Sequence, residues 1–515
     1  MAAGRYRVLI AMIFAVAMMS IDQTIVSIAA PTIQRELSLT ATGLQWVING
    51  YLLALAALFA LGGKLSDVVG HRRMVLVGTV GFAAASALCG ATPTGSVAQE
   101  WLVVARLLQG AFGALLFPAA LAIVFNAFPA RERGKALALF FGISGALTSV
   151  GPIAGSFLLP WTWRAIFLIN VPVALLALWL TWRAHPEDSR RPVPIDWRGA
   201  ALVSAGMALS VVGLQQSANW GWSSWATWVC LAAGLALLAI FVRFELGREN
   251  PLIDVAIFAH RGFAADNVVM GLVYSCFLPL FFFASIYAQV VLGYNAGKTG
   301  LYILVIFIGF AVATQLGGRM LDRRGAKPAA VAGSALGAVG FYLWAGELHQ
   351  PLSSQWPWII LAGAGIGLVL TPVTTDAVNR SPRGSFGEVT GVTQTVRYFF
   401  ASLSLAVLGS VLIHQTRSNA KASLAKLHIP KPIAEKIVAS INTGAGTAPP
   451  KHAAAVSTVY TAIQGDFAQA TRVVYLAMAG IMVASFVIAL RRMERGIPRE
   501  VTDAVDAEAA LEPTT

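Results

Sequence analysis

Three charged residues stand inside stretches that are otherwise apolar: Asp22, Arg106 and Arg397. An ionised side chain at the centre of a membrane helix costs at least ~2.5–3.5 kcal/mol. Each must therefore face a polar cavity, pair with an opposite charge or, for the carboxyl, carry a proton. Asp22 is eight residues before Pro31, about 12 Å from the end of its run, and Arg106 is five residues after Trp101, about 8 Å from the end of its own. The two runs cross in opposite directions, so the charges reach similar depth and a direct or water-bridged pair is expected. Burial and a neighbouring Arg push a carboxyl in opposite senses. A change in either would make Asp22 bind and release a proton. A fixed ion pair that only locks helices together is the competing reading. For Arg397, pairing with backbone or with Gln394 and contact with a substrate anion both stay open.

Composition dictates the elements that hold these charges. Of 515 residues, 57% are hydrophobic and only 12% charged. Soluble domains carry about 25% charged residues, so soluble globular and disordered classes are excluded. A membrane helix needs about 20 mostly apolar residues. Fourteen runs qualify, from Val8–Ile28 and Leu44–Leu61 through Phe263–Val291 to Val389–Ile413 and Val473–Leu490. The first is too long for a cleaved signal peptide and carries Asp22 within it.

The net charge of +13 is placed in short loops rather than in a nucleic-acid-binding patch. With the N-terminus inside and sides alternating, inside segments hold Arg5 and Arg7, Lys64, Arg72 and Arg73, Arg131 to Lys135, Arg183 to Arg198, Arg243 to Arg261, Arg319 to Lys327, Arg380 and Arg383, and Arg491 to Arg499. The six short outside loops hold only Arg35, Arg164 and Lys298. This positive-inside pattern predicts an all-α polytopic protein with both termini cytoplasmic. The long outside segment 415–470 is predicted to form short amphipathic helices. Asp266 and Asp376 fall near inner helix ends, where water is expected to reach them. Cys89, Cys230 and Cys276 lie in apolar runs without metal-ligand spacing.

Two inside loops share one pattern: Gly63-Lys-Leu-Ser-Asp67-Val-Val-Gly70-His-Arg72-Arg73 and Gly318-Arg-Met-Leu-Asp322-Arg-Arg-Gly325-Ala-Lys327. Each lies between the second and third spans of a six-span block, about half the chain apart. A tight turn needs the glycines, and the acid suits helix N-terminal amides. The loops read as latches that gate movement. Duplicated membrane halves with a site between them characterise secondary transporters.

These loops resemble the signature loop of the major facilitator superfamily, and further matches point to its fourteen-span drug/proton antiporter branch. Ile21-Asp22-Gln23-Thr24-Ile25-Val26-Ser27-Ile28-Ala29-Ala30-Pro31 is similar to that branch's first-span stretch, with Ser27 and Ala30 departing from it. Trp46 and Tyr51, Arg106 with Gln109 and Gly110, and Trp163-Arg164 with Phe167, Asn170, Val171 and Pro172 also match. So do Gln289, Gly293 and Gly300, and Gln394 with Arg397. Gly151, Pro152 and Gly155 match the antiporter motif of the fifth span, with Ser156 in place of its second glycine.

The resemblance implies two six-helix bundles, 1–185 and 263–492. Between them lies an inserted pair of spans within 186–262, and a cytoplasmic tail follows at 493–515. It implies alternating access to a central cavity and export of lipophilic or cationic compounds from the bacterial cytoplasmic membrane. Asp22 and Arg106 would couple protons. Trp46, Tyr51, Gln109, Phe117, Phe141, Gln394 and Arg397 would line the cavity, with bonding across helices the equal reading for Gln109, and the fifth-span glycines would hinge or pack closely. The proton motive force would drive the cycle with no cofactor, the partners being protons, a small-molecule substrate and the bilayer, and the chain would act as a monomer. No phosphate-binding loop supports ATP drive, and no nucleophile–base set supports a membrane enzyme. A dedicated natural-product exporter or a lipid translocator of the same fold is the alternative.

Overall fold

A computed structural model describes residues 2–186, 188, 190, 194–380, 386–442 and 454–496. Arg191, Arg383, Arg499 and the tail beyond Gly496 lie outside the described residues, as does 443–453 in the outside loop. The described residues contain 14 helical segments long and apolar enough to cross a membrane.

The first six spans are α1 (Ala2–Glu36), α2 (Ala41–Val69), α3 (His71–Gly90) and α4 (Ala98–Ala127), then the broken spans α5 (Ala130–Thr148) with α6 (Val150–Leu158) and α7 (Ala165–Leu168) with α8 (Asn170–Ala184). The inserted pair is α9 (Trp197–Trp220) and α10 (Trp225–Glu245). The last six spans are α11 (Arg261–Val290), α12 (Ala296–Arg324), α13 (Ala326–Gly346), α14 (Leu352–Asn379), α15 (Phe386–Lys426) and, after the short α16 (Lys431–Asn442), α17 (Ala454–Arg492). Side-chain caps set several starts: Thr40, Asp196 and Asn295 accept from the backbone amides of Gly43, Gly199 and Lys298.

Small residues bring helices together where lipid offers no hydrophobic drive. A Cβ on Gly110 of α4 would strike the Tyr51 carbonyl and Ala54 of α2, and one on Gly62 would strike the Ala114 backbone. In the other bundle Gly309 of α12 abuts Ile360 of α14, while Gly363 abuts Ile306. The bundles meet along α1 with α11, α2 with α15 and α6 with α12. Helix α9 covers the α2–α15 seam, bonding Ser204 Oγ to the Ala57 carbonyl and receiving Ser410 Oγ on the Leu214 carbonyl.

One end of the molecule carries Arg5, both repeated loops and Arg491 with Arg492; call this the basic end and its opposite the far end. Gly70 and Gly325 sit at φ +110° and +78°, values that suit glycine. Each loop docks on the segment that follows its bundle's sixth span. The Arg72 amide donates to Asp188 Oδ1 at 3.2 Å and its guanidinium meets His185 Nδ1 at 3.3 Å. In the second copy a Cβ on Gly325 would strike the Gly496 backbone, and Lys327 Nζ donates to the Met493 carbonyl at 2.8 Å. The acids differ: Asp67 meets His71 at 3.7 Å, whereas Asp322 is exposed and makes no ion pair among the described residues.

Two expectations change. Asp266 and Asp376 are fully buried rather than wetted, because Arg380 closes over them. Its Nε lies 2.7 Å from Asp376 and 4.0 Å from Asp266, and its Nη1 reaches Glu494 at 2.7 Å. In the outside loop, α15 and α17 extend past the apolar runs and leave α16 as the single short helix among the described residues. Ala420 and Leu424 of α15 give α16 a small apolar seat.

Two substitutions test this packing. Gly110→Val should cost about 1–3 kcal/mol through overpacking against α2, read as a lower Tm in detergent with the helical circular dichroism spectrum retained. Arg380→Ala, which leaves buried acids without their cation, should cost about 3–5 kcal/mol in the same assay.

Candidate functional site

Inside the first bundle, five spans supply one closed polar cluster. Arg106 Nη1 of α4 donates to Asp22 Oδ2 of α1 at 2.5 Å and to Gln109 Oε1 at 2.6 Å, while its Nε donates to the Val47 carbonyl of α2 at 2.9 Å. Gln109 Nε2 donates to Asp22 Oδ1 at 2.9 Å, and Asn170 Nδ2 of α8 approaches the same oxygen at 3.3 Å. Ser86 of α3 accepts from Gln109 and Asn170 and donates to the Phe167 carbonyl at 2.8 Å. The Arg106 guanidinium lies over the Tyr51 ring, 4.4 Å from its centroid. Every one of these side chains is at most 1% exposed.

Spacing places them. Arg106 and Gln109 are three apart on α4 and share a face. Gly110 lets α2 come close enough for the Val47 carbonyl to reach Arg106. A carboxylate with an arginine and two amide donors is fully served, so burial here leaves no unpaired charge.

The fifth span bears on the same place. Pro152 has no amide proton to give the Thr148 carbonyl four residues back, and the helix is interrupted at Ser149. Thr24 Oγ1, two residues from Asp22, donates to that freed carbonyl at 2.7 Å. Gly151 and Gly155 press on Thr24, Ile21 and Ile25 of α1. The break and the close packing are thus one feature, and it ties the fifth span to the residues around Asp22.

Between the bundles runs a seam of aromatic rings. Phe140 and Phe141 meet Phe117, which meets Phe59 at 5.8 Å; Phe59 stacks across the seam on Tyr398 at 5.3 Å. Tyr398 continues to Tyr274 and Phe277 in the second bundle. Gln23 Nε2 donates to the Tyr398 hydroxyl at 2.8 Å. Toward the far end the seam is sealed by Asn49 with Ser402 at 2.6 Å, Gln45 with the Leu405 carbonyl at 2.6 Å and Gln289 with the Ile28 carbonyl at 2.9 Å. A cleft between Pro31, Gln45, Phe282 and Arg417 remains there, about 70 Å³ in volume, which is far below the few hundred Å³ of a drug-sized pocket.

Arg397 stands beside Tyr398, at the depth of Gln23. Its guanidinium is 4.0 Å from the Tyr274 ring centroid, and its buried Nε has no hydrogen-bond partner. Unlike Arg106 and Arg380, it makes no ion pair among the described residues.

The residues expected to act together therefore divide. Asp22 and Arg106 meet directly. Gln109 and Tyr51, expected at the cavity, belong to the closed cluster, because the amide is saturated by Asp22, Arg106 and Ser86 and the phenol ring lies under Arg106. Trp46 lies at the far end of α2, 3.1 Å from the Gln215 side chain of α9. Phe117, Phe141 and Arg397 lie at or beside the seam, and Gln394 is one turn from Arg397 with a buried Oε1 that receives no hydrogen bond. Asn170 and Gln23 stand in the sequence only as members of matching runs, and Ser86, Tyr274 and Phe59 carry no separate signal. Gln23 was open to inference as the polar neighbour of Asp22.

A profile described as Major Facilitator Superfamily matches residues 12–405. The Tetracenomycin C resistance and export protein of Streptomyces glaucescens is 34% identical over 465 residues, 88% of this chain and 85% of that protein. The Multidrug resistance protein Stp of Mycobacterium tuberculosis is 30% identical over 492 residues, 93% of this chain and 90% of its own. Among solved structures, a bacterial homologue of the human lysosomal transporter Spinster, inward-facing and unoccupied, aligns with TM-score 0.61 at 15% identity, covering 95% of this chain and 98% of that one. A D-xylose–proton symporter aligns at 0.59 and 14% identity over 95% and 98%. Those structures speak for the fold; the profile and the sequence relatives carry the assignment, and the chain belongs to the major facilitator superfamily.

Proposed function

We propose that the protein exports lipophilic small molecules from the bacterial cytoplasm in exchange for protons, by alternating access, with both termini cytoplasmic and Asp22 as the proton-coupling carboxylate. The chain is read as working as a monomer without a cofactor. The observation that supports coupling is the closed Asp22–Arg106 pair, level with the seam where the bundles meet. Relatives named for resistance and export of drugs support the direction of transport.

The physical logic is one of linked states. Protonating Asp22 removes the charge that neutralises Arg106, and an unpaired buried cation costs about 3–5 kcal/mol. Proton binding is therefore favourable only where the cluster opens and water reaches the guanidinium. Thr24, two residues from Asp22, bonds the broken fifth span, so opening the cluster is linked to movement of α5 and α6 along α1. A membrane potential adds about 2.3 kcal/mol per charge per 100 mV. A dedicated exporter of one natural product is the second reading, supported by relatives named for single compounds, among them the Probable actinorhodin transporter of Streptomyces coelicolor.

In proteoliposomes holding an inside-acid pH gradient, a panel of lipophilic cations, anions and neutral drugs should elicit compound-dependent proton release from wild type. Asp22→Asn should reduce it to the level of empty liposomes while keeping the fold; release undiminished in the variant overturns the assignment. Arg106→Lys keeps the charge but loses the fork to Asp22, Gln109 and Val47. It should lower Tm, by about 1–3 kcal/mol of stability, and abolish coupled release.

A further inference from the structure

We propose that the transported compound is an aromatic anion, with its rings against the Phe59–Tyr398 stack and its carboxylate or phenolate on Arg397. This rests on the export reading and names the chemistry of its substrate.

The charges at the seam lead to this class. Asp22 and Arg106 neutralise each other at 2.5 Å inside the first bundle. Arg397, at the same depth on the other side of the seam, has no carboxylate within ion-pair distance among the described residues and a buried Nε–H without an acceptor. Among the described residues at the aromatic seam, Arg397 is thus a positive charge without a carboxylate partner. Arg397 is only partly buried within an apolar span, and a charged side chain there must face a polar gap rather than lipid. Its position next to Tyr398, which bonds Gln23 of the opposite bundle at 2.8 Å, puts that gap at the seam.

Tyr274 covers one face of the guanidinium and leaves its donor edge for a ligand. A cationic compound entering there meets like charge in a medium of low dielectric, whereas an anion supplies the missing acceptor. The rings from Phe117 through Phe59 and Tyr398 to Tyr274, spaced 5.3–6.3 Å between centroids, suit a planar aromatic body. Gln394 Oε1, buried without a donor one turn away, would accept from a substrate hydroxyl. An aromatic anion departs from the cationic compounds that the family resemblance implies. Export of an anion is also the direction that an inside-negative potential assists.

Binding to purified protein in detergent tests this apart from transport. Carboxylates, methyl esters and aminomethyl derivatives on naphthalene, anthracene and pyrene cores would be titrated by tryptophan fluorescence quenching. Wild type should bind the acids at least about tenfold more tightly than the matched amines. Arg397→Gln should erase that preference, and Arg397→Lys should keep part of it. Asp22→Asn should retain it, so a failure of coupling is distinguishable from a failure of anion recognition. Arg397→Gln should also melt no lower than wild type, since it loses an unpaired charge, whereas a purely structural arginine predicts a lower Tm. Amines or esters binding as tightly as acids, an acid preference that survives Arg397→Gln, or no acid bound on any core overturns the proposal.

Discussion

A carboxylate and a guanidinium inside a membrane tolerate burial only as a hydrogen-bonded pair, and much of the first bundle is arranged to meet that demand. Asp22 needs Arg106, Gln109 and Asn170 at once, so α1, α4 and α8 must converge. Arg106 in turn needs the Val47 carbonyl and the Tyr51 ring, which brings in α2, and Ser86 of α3 serves the amides on the remaining side. Gly110 is small because that convergence leaves no space for a side chain between α4 and α2.

The same demand explains why the fifth span is broken where it is. Pro152 frees a carbonyl, and a freed carbonyl in a membrane must find a donor. Thr24 supplies it from the helix that carries Asp22. The two bundles repeat a loop whose glycines dock on the segment after the sixth span in each half. The first copy is tied through Arg72, Asp188 and His185, the second through Gly325, Lys327 and the Met493–Gly496 segment. Duplication thus extends from the sequence pattern to the docking partner, although the acids of the two loops have diverged in their contacts.

Much of the fold was legible in the sequence because the membrane makes hydrophobic length mark each span. The pairing of Asp22 with Arg106 followed from depth alone. What depth leaves open is azimuth: periodicity places Gln109 on the Arg106 face without telling whether that face meets the seam or the bundle interior. For Gln109, contact with substrate and bonding across helices were therefore both open, and the second is what the structure shows. The burial of Asp266 and Asp376 turned on Arg380 and Glu494, the latter more than a hundred residues away in sequence, and no local pattern announces such a staple. Tyr274 and Tyr398 were two aromatics among many until the seam brought them to Arg397.

The central proposal is that Asp22 is the proton-coupling carboxylate, held by Arg106, rather than half of a fixed lock. The most direct measurement compares Asp22→Asn, Arg106→Gln and the doubly neutral variant for both stability and gradient-driven transport in proteoliposomes. The double variant removes both buried charges together, so it should recover stability lost in Arg106→Gln, whose carboxylate is stranded. The account predicts that this folded double variant still fails to move compound against its gradient at the expense of protons. Restored proton-driven transport in the double variant would contradict it and leave the pair as a structural tie.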